Sequence, residues 1–470
     1  MDMIESTGWP KDIEAYLKSH FSALDRSTPQ EETALHEFLR LGPLHSFIPT
    51  AMGGTCEGPG TYLPVVEMAA YYSLPLGLTL GITGSLFLMP ILKHAPVALR
   101  DTLVADFLSG PALGGIMITE PTGGTDVFGL QSTVSPSPGG MLLNGTKCWG
   151  GLTGRAAHWL VAARKKRGDR LTRSLKLLYV PLASPGVSVD HYFDALGLQP
   201  ITYGQTSFSD VTVPEAYDLT PPGTSALRVL YDTLFRSRLG ISAIASGLCK
   251  RIVHECTKRA GERIVFGQPI AGLDQVQFRL ATLRGQAQMN HALWHFAGDW
   301  MGSHDDLSGD YVLVNAIKVC SSESMTTAAD SAVQLFASAA FKRSHMAGRA
   351  YVDSRPFRIF EGVNDVLHDN TFVVLAGRYG TVTADAVSRE LATFGLRMPE
   401  GLPEGTLAAL ASPPDASQRE HVHCGKVIEW VVVLAVMEYM NAQHAMPIDE
   451  ARLVAQRSIA ALIAERDYLL

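Results

Sequence analysis

The sequence predicts an α+β fold that is mostly helical, with a small β-rich segment set between two helical regions. Three observations carry this. Apolar residues recur at helical spacing in "DIEAYLKSHFSAL" and "QEETALHEFLRL". From about residue 114 the texture changes to short β-type runs, separated by turn clusters such as "SPSPGG" and "RGDR". Near "PPGTS" at 221–225 helical spacing returns and continues to about 380, and 381–470 is helical again between "RMPEGLPEG" and "SPPDAS". The expected division is an N-terminal helical domain over 1–113, a middle β-domain over 114–222, a helical bundle over 223–380 and a helical extension over 381–470.

Each part has its own reason. In the first domain "IPTAMGGTCEGPGTY" is a Gly/Pro-rich break, and the more apolar 64–94 predicts a buried helical pair. In the second, "GGIMIT", "MLLNGTKC", "WLVAARKK", "SLKLLYVPL", "GVSVD" and "QTSFSDVTVP" are strand-like at a spacing that predicts a small sandwich or barrel. Internal repeats and long low-complexity tracts are absent from the sequence.

With 46% hydrophobic and 18% charged residues, the 470-residue chain reads as globular with a large core. A formal charge of −7 gives no electrostatic reason to expect nucleic acid or an anionic membrane as partner. Cysteines 56, 148, 249, 256, 320 and 424 are scattered without a CxxC pair, which predicts reduced thiols and a cytoplasmic location. "MDMIESTGWPKDIEAYL" has neither the apolar core of a secretory leader nor an Arg-rich amphipathic pattern. "GLTLGITGSLFLMPIL" and "WVVVLAVM" read as too short or too broken to cross a bilayer, so the expectation is no transmembrane segment.

The most informative stretch is "PFRIFEGVNDVL" (356–367), where Glu361 follows Phe357, Ile359 and Phe360. A carboxylate there is a helix-end residue, the partner of Arg355 or Arg358, or a base with a raised pKa suited to a weakly acidic C–H bond. Gly362 allows a turn, and Asn364 is placed to cap the next helix. In "TEPTGGTD" (119–126), two glycines among hydroxyl residues let backbone N–H groups approach a ligand; the alternative is a plain loop. "LNGTKCWGG" (143–151) sets Trp149 beside glycines, either as a core residue or as a wall for a flat ring. "ERIVFGQP" (262–269) closes a long helix, where Arg263 caps the last carbonyls or binds phosphate. "RKKRGDRLTR" (164–173) is a solvated hairpin tip or a contact for phosphopantetheine, CoA or a carrier protein. "HVHC" (421–424) is a poor zinc pattern and is read as non-metal.

Taken in order, "TEPTGGTD", "LNGTKCW", "FSDVTVPE", "RLGISAIASG…ERIVFGQPI", "AVQLFASAAF" and "FRIFEGVNDVL" resemble the layout of the acyl-CoA dehydrogenase family over roughly 30–380. "SLPLGLTLGITGS", the "FRIFEG-ND" wording and the helical stretch after 380 resemble its very-long-chain branch. The resemblance implies that family's fold: an N-terminal helical domain, a middle β-domain and a C-terminal four-helix bundle, here with the extension. It also implies FAD, with a neighbouring subunit completing the site in a homodimer or homotetramer. Glu361 would be the base that removes the α-proton of an acyl thioester, carried on CoA or an acyl carrier protein, while hydride passes to the flavin. The backbone N–H of Glu361 would hold the developing enolate oxygen. Cofactor positions would be Thr119, Thr125, Trp149, Gly151, Arg263, Phe266, Gln334, Ala337 and Ser338, and substrate positions Thr125, Arg238 and Gly362. An electron-transfer flavoprotein would take the electrons.

Departures cluster on the cofactor side. The family's "QxxGGxG" reads "QLFASAAF", so Ala337 and Ser338 each add a Cβ, and Gly151 stands where the family carries a hydroxyl, a role Thr153 could take over. Val352 replaces the arginine of "RD", and Val363 the threonine of "EGT". Two alternatives therefore stand beside the dehydrogenase: a divergent member with weak or no flavin binding, acting as a thioester-binding, lyase-type or partner protein, and a flavin monooxygenase.

Overall fold

The computed structural model describes residues 9–24, 29–168, 170–413 and 415–469. The N-terminal stretch read for a leader lies outside them up to residue 8, as do Asp169 of the basic hairpin and Pro414 of "SPPDAS". The chain forms two compact units, one of Gly8–Ser237 with Asp306–Ser308, the other of Arg238–Asp305 and Gly309–Leu470.

The N-terminal unit begins with α1 (Lys11–Leu24), α2 (Pro29–Arg40) and α3 (Pro59–Tyr72). Proline at the start of α3 suits a position whose N–H has no intrahelical partner. Then α4 (Leu74–Gly81), a π-helical stretch (Ile82–Leu88) and α5 (Met89–His94) follow without interruption. This corrects the expectation that the segment is too broken to span a bilayer: by length and composition Leu74–His94 is apolar enough to do so, and most of it is packed inside the unit. Its glycines do not break it because they mark close approaches. A Cβ at Gly77 would lie 2.6 Å from that of Ala70, and one at Gly84 2.3 Å from the Phe47 ring. Thr83 donates to the carbonyl of Gly114, 3.1 Å away, tying the π stretch to the sheet. After α6 (Val97–Ser109) the chain enters that sheet.

Seven strands form it: β1 (Gly114–Met117), β2 (Thr133–Ser137), β3 (Gly140–Cys148), β4 (His158–Arg167), β5 (Arg170–Pro181), β6 (Val187–Tyr192) and β7 (Gly204–Val213). Their order is β1-β4-β2-β3-β7-β6, with β5 on β4. β1 and β2 run parallel to β4; the remaining pairs are antiparallel. Six strands coincide with the expected runs. β2 was read as turn, and its Pro136 explains why. Only Thr133 and Val134 pair with β4, so Pro136 lies beyond the point where a second neighbour would demand its N–H.

α7 (Ala226–Glu262) opens in the N-terminal unit and from Arg238 belongs to the C-terminal one. There the hairpin β8 (Ile264–Val265) and β9 (Gln268–Pro269) turns through Phe266 and Gly267, both left-handed at φ 51° and 82°. α8 (Asp274–Ser303), α9 (Tyr311–Phe336), α10 (Met346–Ser354) and α11 (Asn364–Tyr379) follow, then α12 (Ala384–Thr393), α13 (Thr406–Ala409), α14 (Gln418–His444) and α15 (Asp449–Leu469). α14 starts with a capping box, Ser417 and Glu420 satisfying each other's backbone N–H groups. Its Val427, Ile428, Val431, Leu434 and Met437 are fully buried against the bundle. α15 lies on α8, where a Cβ at Gly285 would come within 2.5 Å of the Glu450 carbonyl and Arg284 grips the Glu450 carboxylate through Nε at 2.8 and 3.0 Å. All six cysteines are free thiols.

Candidate active site

In the C-terminal unit the segment between α10 and α11 is a tight turn. Phe357 is fully buried and packs at a tilt against Phe360 with centroids 4.7 Å apart, while Ile359 is half exposed, so the surroundings of Glu361 are only partly apolar. Glu361 itself sits at φ 56° and Gly362 at φ 107°. A left-handed glutamate is uncommon and persists only where its surroundings over-determine it. Two basic side chains do so here. Arg238 on α7 donates through Nε to the Glu361 carbonyl at 2.7 Å, and Lys318 on α9 donates through Nζ to the Gly362 carbonyl at 2.8 Å. Consecutive carbonyls are thus pinned by two buried side chains, which fixes the direction in which the Glu361 side chain leaves the backbone.

Of the two local arginines considered for Glu361, Arg358 is engaged elsewhere, bonding to Glu323 at 2.6 Å. Asn364 is not the helix cap: Val363 holds that position, and no side chain caps there. The buried Asn364 accepts from Lys318 at 2.7 Å and donates to Ser322 at 3.1 Å and Glu323 at 2.8 Å. Those inward partners engage its amide, which leaves the start of α11 without a side-chain cap. The Lys318 ammonium is held down to about 7, chiefly by burial and then by the Arg238 charge, against the pull of Glu361, Glu323 and Glu429.

Arg238 donates through Nη1 to Asn315 Oδ1 at 3.2 Å. Asn315, Lys318 and Glu429 carry much of this cluster and were absent from the sequence reading. A signal existed for two of them: Asn315, Lys318 and Ser322, at i, i+3 and i+7, put polar groups on one face of an otherwise apolar helix.

Elsewhere in this unit Arg263 and Gln334 are exposed, and Phe266 at the β-hairpin tip is 97% exposed. Ala337 ends α9 with φ 53° and ψ −137°, a conformation suited to glycine, and both it and Ser338 face solvent. His421 of "HVHC" stacks on Phe372 at 4.1 Å, and the Cys424 thiol points to the Leu410 carbonyl at 3.6 Å.

In the N-terminal unit the Thr119–Asp126 loop is closed on itself by Glu120 and Gly123, which exchange backbone hydrogen bonds of 3.0 and 2.9 Å. The buried Glu120 accepts from the Gln131 and Ser132 N–H groups and from Lys147 Nζ at 2.8 Å. Burial pushes the Glu120 carboxyl up, but the Lys147 charge and these hydrogen bonds outweigh it and hold the group below its ordinary value. Burial in turn brings Lys147 down to about 8. Thr119 is half-buried and Thr125 exposed. Trp149, at φ 60°, is 52% exposed and backed by Phe193 at 4.4 Å and Tyr203 at 5.9 Å, the geometry of an aromatic wall. A Cβ at Gly151 would meet the tip of Ile82 at 2.6 Å, so the chain is packed for glycine there. Thr153 is buried, and its hydroxyl donates to the Gly150 carbonyl at 2.7 Å. In the basic hairpin Arg164 is tied to the carbonyls of Thr172 and Leu130 and Arg173 lies over Phe128, leaving Arg167 and Arg170 outward.

Two family models match the chain: "Acyl-CoA dehydrogenase, middle domain" over 115–211 and "Acyl-CoA dehydrogenase, C-terminal domain" over 227–371. The very long-chain specific acyl-CoA dehydrogenase of Bos taurus is 28% identical over 354 residues, 74% of this chain and 53% of that protein. The chain thus spans about half the length of the very-long-chain relatives it matches. The short-chain specific enzyme of Mus musculus is 24% identical over 343 residues, 73% of this chain and 82% of that protein. Among solved structures, an acyl-CoA dehydrogenase complexed with FAD from Bacillus anthracis superposes with TM-score 0.77 at 18% identity, covering 97% of this chain and 88% of that one. That likeness of fold takes in the helices after residue 380.

Proposed function

Because the chain belongs to the acyl-CoA dehydrogenase family, we propose that it is an oxidoreductase that dehydrogenates an acyl thioester between its α and β carbons. One observation carries this reading: a glutamate at the family's base position, held left-handed by Arg238 and Lys318, which bond its own and the next carbonyl. In the proposed reaction Glu361 takes the α-proton of the thioester onto its carboxylate. Its backbone N–H supports the thioester oxygen as charge develops there. Arg238 and Lys318 keep the turn from relaxing while this happens.

FAD is the cofactor we propose, and the residues present fit it. Trp149 offers a half-exposed, backed aromatic face, and Ala337 keeps a glycine-type turn despite its Cβ. Thr119, Thr125 and Trp149 are the cofactor positions we propose within the N-terminal unit, and Arg263, Phe266, Gln334 and Ser338 those within the C-terminal unit. When bound, flavin supplies the acceptor for the β-hydrogen, which leaves as hydride. The outward arginines of the β4–β5 hairpin favour an acidic or phosphorylated carrier, either CoA or an acyl carrier protein. The exposed Phe266 and Phe341 favour a second copy of the chain as partner, and an electron-transfer flavoprotein is the acceptor we propose downstream.

A second reading has an observation of its own. Gly151 carries no hydroxyl and the Thr153 hydroxyl is turned inward, which favours a member that keeps the base but binds flavin weakly. The visible spectrum of the purified protein, with and without added FAD, separates the two. A flavin spectrum bleached anaerobically by acyl-CoA supports the dehydrogenase. Glu361→Gln is then expected to retain flavin and lose bleaching; full bleaching in that variant would remove Glu361 from the role of base.

A further inference from the structure

Glu429 is fully buried on α14, in the stretch beyond the two matched family domains. Its carboxyl accepts from the Thr371 hydroxyl at 2.9 Å through Oε1 and faces His368 Nδ1 at 2.5 Å through Oε2. The Thr371 oxygen accepts in turn from Asn315 Nδ2 at 3.3 Å, and Asn315 Oδ1 accepts from Arg238 at 3.2 Å. Arg238 then donates to the Glu361 carbonyl at 2.7 Å. The orientation of the Asn315 amide is fixed by chemistry, because a guanidinium only donates and must face its oxygen. From Arg238 to Glu429 every donor therefore points the same way, starting at a cation and ending at a carboxyl. Hydrogen bonds aligned like this polarise one another in a low-dielectric interior, and Arg238, Asn315, Thr371 and Glu429 are all buried.

A separate observation fixes the end of this path. One turn before Glu429, Gly425 lets α14 approach α11 so closely that a Cβ there would lie 2.0 Å from the His368 carbonyl oxygen. The approach brings Glu429 level with His368 and Thr371. The charged and titratable groups around the path are Arg238 on α7, Lys318, Cys320 and Glu323 on α9, His368 on α11, and Glu361 itself, with the Asp369–His421 pair between α11 and α14 beside His368. The negative charge of Glu429 is felt at Lys318, which binds the carbonyl next to the base.

We propose that Glu429 is a positioning residue: as terminal acceptor of the Arg238–Asn315–Thr371 path it fixes the Glu361 turn, making the C-terminal helices part of the catalytic framework. The inference rests on the dehydrogenase reading for its catalytic meaning and on geometry for its physical content. Its test has two arms. In the first, wild type and Glu429→Gln, both loaded with FAD, are reduced anaerobically by octanoyl-CoA across pH. Glu429→Gln is expected to reduce at least tenfold more slowly, with its acid-side midpoint moved to lower pH because the negative charge felt at Lys318, which binds the carbonyl next to Glu361, has gone. Glu429→Asp should restore part of the rate. In the second arm, hydrogen exchange is followed across 356–367 without any thioester. Glu429→Gln and Thr371→Val should exchange at least tenfold faster there, whereas Arg284→Ala, which loosens α15 without touching the path, should not. Wild-type exchange at the turn in both path variants would overturn the proposal, as would a wild-type pH profile in Glu429→Gln. A wild-type protein that octanoyl-CoA and other thioesters fail to bleach would sink the dehydrogenase reading alone, and the exchange arm would still decide the positioning role.

Discussion

Glu361 and Lys318 show how far single residues can be read. The carboxylate was legible because a charge directly after a run of large apolar residues needs an explanation. Its left-handed backbone was not, since the carbonyl bonds from Arg238 and Lys318 that hold it come from residues distant in sequence. The cap assigned to Asn364 failed for the same reason: local propensity gave way to partners on α9. Lys318 makes a prediction at this scale. Its folded pKa of about 7 lies below its ordinary 10.5, so between those values the unfolded chain binds more protons and stability rises with pH. The penalty of burying the ammonium is complete below the folded value and disappears above the unfolded one. Lys318→Met removes that penalty along with the carbonyl bond. Calorimetric melting from about pH 6 to about pH 9 should show the wild type gaining on Lys318→Met as pH rises; parallel profiles would contradict it.

At the scale of elements, periodicity identified the helical regions and six of the strands because both patterns are local. β2 escaped because its proline and serines resemble a turn, and only the partners on β3 and β4 make it a strand. The π stretch at Ile82–Leu88 leaves no mark in composition; close packing on Phe47 and the Thr83 bond to the sheet hold it. The end of α9 is where an element departs most from its sequence. Ala337 occupies a backbone conformation that a Cβ disfavours by about 1–3 kcal/mol. Ala337→Gly should recover roughly 1 kcal/mol of this after the entropy that glycine loses on folding is subtracted, and thermal melting should rise by a few degrees. An unchanged or lower melting temperature would mean that neighbouring packing already absorbs the strain.

For the whole molecule, the order helices, sheet, helices could be read from texture alone, while the placing of the final helices could not. Their docking depends on Gly285, Gly425 and the Arg284–Glu450 pair, single residues whose importance appears only when helices meet. A chain ending at residue 380 would lose the buried Val427, Ile428, Val431, Leu434, Met437 and Ile459. Each such side chain contributes about 1.5–3 kcal/mol when fully buried, and the net stability of a domain is only about 5–15 kcal/mol. The truncated chain should therefore lack a cooperative melting transition of its C-terminal unit by circular dichroism; an intact transition would show that this unit stands without α14 and α15. The position of Glu429 along the chain adds a consequence in time. Synthesis delivers Arg238, Asn315, Glu361 and Thr371 before Glu429, and domains fold as units while the chain emerges. A nascent chain can present Glu361, the base we propose, before it possesses Glu429, the acceptor at the end of the proposed path. Ribosome release of α14, rather than of the turn that bears the carboxylate, would then mark the moment this protein becomes competent.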